Sequence, residues 1–391
     1  MRPIKVLQVC TVPITAKVFI SPFARYLTDK GYRVTISCSG NGSDSSVSPV
    51  TYLRDQGFRL QIIPMHREIS PLADAISIGR LYSFIRTESF DIVHTQASKA
   101  GFIGRTAAWL ARVPIIVHTA HAFPFHPYLQ PAVKGLYVYL ERLAGAFADL
   151  IIVDTDAVRQ DGILHNIAEP AKIITVNMGI DLARFDPSLW SGQRLRGEFS
   201  LGPSAPLIVC IARLVPDKGL ECLLEAAALV VGSRPESKFL IAGDGPLRTK
   251  LVGEAVELGI EDSVIFAGFR NDVPRVLAAA DLFVLPTLRE GFGVVFAEAM
   301  AMGVPVVASK IAPIAEVVKD GETGILVPPN HPRLFAEAIV SLLEDEAKRK
   351  DMAQAARARV ETLFDELSNF ERIEFLYQEL LRQKGLCKDE D

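Results

Sequence analysis

Short apolar runs alternate with amphipathic, helix-like stretches along the whole chain, and no other feature restricts the fold as strongly. In the first half the runs are IKVLQVC (4–10), YRVTISC (32–38), RLQIIPM (59–65), DIVHTQ (91–96), PIIVHTA (114–120), DLIIVDT (149–155) and KIITVNM (172–178). In the second they are PLIVCIA (206–212), KFLIAGD (238–244), SVIFAGF (263–269), DLFVLPT (281–287), VPVVAS (304–309) and GILVPP (324–329). Stretches such as SPFARYLTDKG (21–31), AGFIGRTAAWLARV (100–113) and GLECLLEAAALVV (219–231) lie between them. Strand and helix in repetition predict a parallel, doubly wound α/β sheet with helices on both faces. Near-continuous apolar strands, rather than alternating ones, fit sheets buried on both sides.

The pattern runs twice, with a break at FDPSLWSGQRLRGEFSLGPSAP (185–206), rich in Gly, Pro and Ser and without apolar period. It reads as an interdomain linker. The expected fold is two Rossmann-like domains facing each other across a cleft: residues 1–188, joined by a C-terminal helix within 366–391, and residues 200–365. In FERIEFLYQELLRQKG (370–385), Phe370, Ile373, Leu376, Tyr377, Leu380 and Leu381 recur at helical spacing, which predicts a helix packed on a domain surface. Ligands of such sheets bind beyond the carboxyl ends of the strands.

At 391 residues, 49% hydrophobic and 23% charged, the chain has the composition of a soluble globular protein of two domains. The tail Lys388–Asp391 is the one segment expected to be disordered. MRPIKVLQVC carries Lys5 inside a β-like run and no small-residue cleavage site, so it is not read as a signal peptide. LYVYLERLAGAFADLIIV (136–153) is interrupted by Glu141, Arg142 and Asp149, and no transmembrane helix is expected. Five cysteines without a CxxC pair argue against a disulfide framework or zinc site and fit a reducing cytosol. The net charge of −4 is unevenly spread: residues 1–190 hold 19 Lys and Arg against 15 Asp and Glu, and residues 191–391 hold 23 against 31. The basic half suits an anionic acceptor or membrane surface, or is chance scatter of surface charge; nucleic acid is not an expected partner.

Three segments carry chemistry. In PTLREGFGVVFAEAMAMGVPVVAS (286–309) a strand ends, the turn Glu290-Gly291-Phe292-Gly293 opens a helix, and Gly303 stops it. Unpaired backbone N–H groups and the helix dipole make that turn an anion site suited to a pyrophosphate. Glu290 and Glu298 lie two turns apart, and a carboxylate accepts the hydroxyls of a vicinal diol; a solvated pair of glutamates is the plainer reading of spacing alone. In CIARLVPDKGLECLLEAA (210–227), Arg213 and Lys218 sit between a buried strand and a helix, where fixed cations neutralise a diphosphate leaving group without metal. In IAGDGPLRTKL (241–251), Gly243, Gly245 and Pro246 form a tight turn after a strand.

Together these segments resemble glycosyltransferase family 4, a retaining family with two facing Rossmann domains, and the resemblance spans nearly the whole chain. It rests on the E-x7-E pattern of EGFGVVFAE, on Arg213 and Lys218 in ARLVPDKG, on the GDGP turn and on FAGFRNDVPRVLAAADLFVLPT (266–287), all in the expected order. It implies a nucleotide-sugar donor in the second domain and an acceptor in the first. Glu298 would hold the ribose, Glu290 the transferring sugar, and the N–H groups of Phe292, Gly293 and Val294 the sugar and phosphates. Arg213 and Lys218 would stabilise the departing diphosphate, Gly243 and Gly245 would line the donor, and backbone around Phe269 and Arg270 would meet the base. His121, in HTAHAFPFH (118–126), matches the histidine near the reacting carbon. His118 and His126 are weaker candidates, and His94 is expected to meet the acceptor.

The resemblance further implies front-face attack without a protein nucleophile, and neither metal nor other cofactor. A UDP-sugar is the expected donor, with GDP and ADP donors open. The expected acceptor is a glycan or lipid-linked saccharide at the inner face of a membrane, in polysaccharide or glycolipid synthesis, with the enzyme cytoplasmic or peripheral. Two features depart from the family pattern. CTVPITAKVFISPF (10–23) lacks the usual Gly-Gly pair, leaving Thr11, Thr15 and Lys17 to supply contacts, and NMGID (177–181) has Met178-Gly179 for Asn-Gly. Asp154-Thr155-Asp156 is formally a DxD but reads as loop or helix-capping carboxylates. The alternatives are a nucleotide-sugar 2-epimerase, which needs acid/base carboxylates at the second carbon, and a non-catalytic nucleotide-sugar-binding subunit. A dehydrogenase is disfavoured because no GxGxxG follows the first strand.

Overall fold

The computed structural model of the protein describes residues 2–40, 48–66, 68–126, 128–202 and 204–386; the Lys388–Asp391 tail lies outside them. The chain divides into two compact units, one comprising residues up to Val176 with those from Phe370 onward, the other Asn177–Asn369. Every apolar run named above contains a strand. In the first unit these are β1 Lys5–Val9, β2 Arg33–Cys38, β3 Arg59–Ile62, β4 Ile92–Gln96, β5 Ile115–Ala120, β6 Leu150–Val153 and β7 Ile173–Thr175, ordered β3-β2-β1-β4-β5-β6-β7 and parallel. In the second they are β8 Leu207–Ile211, β9 Lys238–Ala242, β10 Val264–Gly268, β11 Leu282–Leu285, β12 Val306–Ser309 and β13 Gly324–Val327, ordered β10-β9-β8-β11-β12-β13, again parallel. Each sheet has the Rossmann strand order, and each has a switch point, between β1 and β4 and between β8 and β11, where neighbouring crossovers leave in opposite directions.

Residue alternation explains why the strands are apolar throughout. Val6, Ile92 and Ile115 enter a core on one face of the first sheet. Their neighbours Leu7, Val93 and Ile116 enter a separate core on the other face. A strand covered on both sides has no position to spare for a charge.

The C-terminal helix runs from Glu366 to Gln383, and from Phe370 on it belongs to the first unit. Leu376, Tyr377 and Leu381 are buried against the first sheet, with Phe370, Ile373 and Leu380 half-buried around them. The Tyr377 hydroxyl accepts a hydrogen bond from Gln8 Nε2 at 3.2 Å and lies 2.6 Å from His94 Nδ1, all three side chains fully buried.

The expected linker at 185–206 is corrected. The unit boundary falls at Val176/Asn177, and the stretch after it is part of the second unit's core. Phe185 and Leu195 are buried there, Gln193–Glu198 is a short helix, and Arg196 bonds the carbonyls of Ala205 and Ala279 and the carboxylate of Asp281. Glycine at 192 reflects close packing rather than flexibility: a Cβ there would lie 2.4 Å from Ala279 Cα.

Tyr377→Phe removes the partner of two buried polar side chains. It is expected to lower the free energy of unfolding by about 1–3 kcal/mol, read from urea denaturation. Burial holds the His94 pKa down to about 3. The unfolded chain protonates this imidazole below about pH 6.5 while the fold keeps it neutral, so stability is expected to fall as pH drops from about 6.5 toward 3. Denaturation midpoints at pH 7 and pH 5 check this.

Candidate active site

In the second unit the candidate residues gather at the carboxyl ends of β8 and β11, the two sides of its switch point. Arg213 is exposed just beyond β8, and Lys218 closes the short turn Pro216–Lys218. The next residue, Gly219, has φ +64°, and a Cβ on it would stand 2.1 Å from the Pro286 carbonyl oxygen. Only glycine lets the β8 loop lie against the end of β11 so closely. The Asp217 carbonyl then accepts from Leu288 N at 2.8 Å and from the buried Thr287 hydroxyl at 3.0 Å. These ties bring Lys218 Nζ to 2.6 Å from Glu290 Oε1, with the two side chains 12% and 14% exposed. The cation expected on the phosphate and the carboxylate expected on the sugar are therefore each other's partners.

Phe292 anchors the turn, buried edge-on against Phe364 at 5.1 Å between ring centres; only its backbone is available to a ligand. Gly293 is left-handed at φ +79°, and the helix Val294–Ala301 starts behind it with no side-chain cap. No side chain caps its first N–H groups, although Phe296 N donates to the Gly293 carbonyl at 2.9 Å, and an uncapped helix start of this kind suits an anion. Glu298 lies in the second turn of that helix. Burial raises its pKa to about 7, against the opposing charge of Arg184.

Gly243 and Gly245 have a packing role that the sequence did not reveal. A Cβ on Gly243 would sit 1.8 Å from the Ala212 carbonyl oxygen, and one on Gly245 2.5 Å from that of Leu214. The GDGP turn is pressed against the Arg213 segment, tied by Leu214 N to Asp244 O and Leu247 N to Leu214 O. Phe269 is exposed. The Arg270 guanidinium is held by Glu198 and Asp272, at 2.5 Å and 2.8 Å, which leaves its backbone rather than its side chain for a base.

In the first unit, His121 follows the last residue of β5. Its Nδ1–H donates to Asp154 Oδ2 at 2.9 Å, and Nε2 lies 3.4 Å from Gln96 Oε1. The ring is 29% exposed while Asp154 is 3% exposed. Burial alone would lower the imidazole pKa; the charge and hydrogen bond of Asp154 outweigh it, and the pKa is raised. Asp154, expected as a loop or cap carboxylate, is instead the partner of His121. β5 pairs with β6 with Ala120 opposite Val153, so the residues just past each strand are neighbours. The cap in that motif is Thr155, whose hydroxyl accepts from Val158 N, and Asp156 takes the Thr175 hydroxyl.

His94 is corrected: it is a core residue with both ring nitrogens engaged, by Tyr377 and by the Thr119 hydroxyl at 2.7 Å, and it cannot reach an acceptor. His118 is likewise buried, on Thr95. After β1 the chain turns directly into Pro13–Thr15 and a π-helical turn Ala16–Ile20, a rare element. Thr11 is buried and Thr15 half-buried, while Lys17 Nζ lies 4.6 Å over the Tyr52 ring. The residue of this segment beside His121 is the half-exposed Phe19, at 5.9 Å between ring centres, which sequence reasoning did not name. Among the described residues no three His, Cys, Asp or Glu side chains cluster as a metal site requires, and no helix is long and apolar enough to cross a membrane.

Residues 16–184 match Glycosyltransferase Family 4 and residues 193–359 match Glycosyl transferases group 1. The chain belongs to glycosyltransferase family 4. It is 30% identical over 97% of its length to the UDP-Gal:alpha-D-GlcNAc-diphosphoundecaprenol alpha-1,3-galactosyltransferase of Escherichia coli, 98% of which is covered. It is 29% identical to the D-inositol 3-phosphate glycosyltransferase of Corynebacterium glutamicum (strain R), over 82% of this chain and 80% of that one. Its fold matches the crystal structure of Anabaena HepE in complex with UDP and glucose, with a TM-score of 0.83, 23% identity and coverage of 96% and 99%. The glycosyltransferase thus has the two Rossmann-like units of that fold.

Asp154→Asn is expected to keep the fold, lower the His121 pKa and reduce turnover roughly 10–100-fold through loss of ring alignment. The pH–rate limb due to His121 should move to lower pH, and an unchanged pH profile would sink the role of Asp154.

Proposed function

We propose that this glycosyltransferase moves a hexose-type sugar from a UDP-sugar to a lipid-linked or glycan acceptor, with retention and without a metal. The observation that carries the reading is the Lys218–Glu290 contact beside an uncapped helix N-terminus, at the switch point of a Rossmann sheet. A diphosphate on those N–H groups would draw Lys218, with Arg213 as a second cation, and free Glu290 to accept sugar hydroxyls. Glu298 would accept the ribose hydroxyls. The names of the relatives support UDP and a lipid acceptor: the E. coli enzyme takes UDP-Gal and a diphosphoundecaprenol-linked sugar, and HepE was solved with UDP and glucose. Such an acceptor implies work at a membrane surface, on its cytoplasmic side.

In the proposed reaction the acceptor hydroxyl oxygen forms a bond to the anomeric carbon on the face from which the diphosphate leaves. The bond from that carbon to the phosphate oxygen breaks, and the hydroxyl proton passes to the leaving phosphate. Arg213 and Lys218 stabilise the charge on that phosphate, the largest contribution such fixed groups make. His121, held by Asp154, is the hydrogen-bond donor proposed for the transferring sugar.

The test is thermal unfolding with UDP, GDP, ADP or NAD in EDTA. UDP at a hundred times its Kd should stabilise the protein by about 2.7 kcal/mol; no response to UDP overturns the donor assignment, and a response only with added metal overturns metal independence. Lys218→Ala should cut kcat roughly 10²-fold with little change in donor KM. Ribose hydroxyls favour an ionised Glu298, whose pKa is about 7. UDP affinity should therefore weaken as pH falls below about 7 in the wild type beyond any change in Glu298→Gln, and parallel titrations of the two would refute the ribose role.

A further inference from the structure

The first unit contains a pocket of about 420 Å³ that the transfer chemistry leaves unused. Its walls come from the helices Pro71–Glu88, Ser98–Leu110 and Pro131–Gly145, which supply Ala75, Ile78, Phe102, Tyr137 and Leu140. The volume and apolar lining are those of a ligand site rather than a packing defect.

The charges around the pocket are already matched. Lys99 Nζ is 2.5 Å from Asp74 Oδ2 and donates to the Glu68 carbonyl at 2.7 Å. Glu141 Oε2 is 2.7 Å from Nη2 of the fully buried Arg105. An ionic ligand would have to break one of these partly or fully buried pairs, at the cost of leaving a charge unpaired. A hydrocarbon chain needs neither pair broken and gains from every apolar wall it covers.

Two features bear on which hydrocarbon it would be. Half-exposed Ile69 lines the pocket, and exposed Val133, Leu136 and Leu143 stand one turn from Tyr137 and Leu140 on the same helix, so apolar surface continues from the pocket to solvent. Ser98 and Pro124 also line the pocket. Ser98 is two residues after Gln96, and Pro124 is three after His121, in the loop that follows β5. The segments that carry His121 and its neighbour Gln96 also wall the pocket. An amphiphile with its head by His121 would thus find apolar walls for its chain there.

We propose that this pocket takes the head-proximal stretch of the polyprenyl chain of the acceptor. The inference rests on the reading of a lipid-linked acceptor given above and adds a site for its chain, separate from the residues that bind sugar and phosphate.

The probe is farnesyl diphosphate, titrated calorimetrically against the full chain, with inorganic diphosphate and phosphatidylcholine vesicles as comparison arms. Ala75→Trp fills the pocket from an exposed wall position, and Leu140→Asp adds a charge without a partner. Neither residue belongs to the proposed transfer machinery, and the unchanged UDP-induced thermal shift of each variant verifies its fold. Farnesyl diphosphate should bind the wild type, inorganic diphosphate should not displace it, and at least one folded variant should bind it tenfold or more weakly. Equal binding by wild type and folded variants, displacement by inorganic diphosphate, or displacement by the vesicles would overturn the proposal, the last by making bulk acyl chains the occupant. A UDP response without farnesyl diphosphate binding removes the pocket assignment alone. Pocket-dependent binding without any UDP response removes the UDP-donor assignment and keeps the chain site, the fold of each variant then being verified by far-UV circular dichroism.

Discussion

Parallel strands buried on both faces are the constraint from which the rest follows. Such strands cannot be joined by hairpins, so each connection crosses over a face and every strand points the same way. All carboxyl ends of one sheet then lie along one edge. The order β10-β9-β8-β11-β12-β13 sends crossovers in opposite directions from β8 and β11, which opens a crevice between the loops that follow them. Arg213, Lys218 and Glu290 are on those two loops. The first sheet does the same with β1 and β4, and His121 lies one strand further along, past β5.

Close backbone approach, rather than flexibility, sets the glycines near the second site. Gly219 and Gly243 both have positive φ, and each faces a carbonyl oxygen at a distance no Cβ tolerates. They let three loops stack tightly enough for Lys218 and Glu290 to meet with little exposure. A preorganised pair of this kind has its desolvation cost met in folding. In the proposed reaction the incoming diphosphate and sugar would exchange one set of charge partners for another, instead of stripping water from free side chains.

The histidines separate what local pattern can and cannot reveal. His94, His118 and His121 are the same residue type at or near the ends of neighbouring strands. His94 and His118 lie within β4 and β5, where alternation turns them into the packed faces; both nitrogens of His94 are used, by Tyr377 and Thr119, and Nδ1 of His118 is used by Thr95. His121 is one residue past β5, free of the ladder, and there Asp154 and Gln96 take hold of it. Three residues along the chain, from His118 inside β5 to His121 just past it, separate a core histidine from the candidate one.

The strands, the α/β class, the two-unit plan and the Glu290–Glu298 turn were legible in the sequence, because each depends on residues close together in the chain: short continuous apolar runs, turn glycines, a helix start. The tertiary structure alone decided the unit boundary at Val176, where Phe185 and Leu195 turned out to be core and not linker. It also decided that Lys218 meets Glu290, that Asp154 holds His121, and that His94 faces Tyr377, 283 residues away. These contacts depend on which strands become neighbours and on how closely loops pack at their ends. No local pattern encodes that, since the energy that selects it is the burial of the whole sheet.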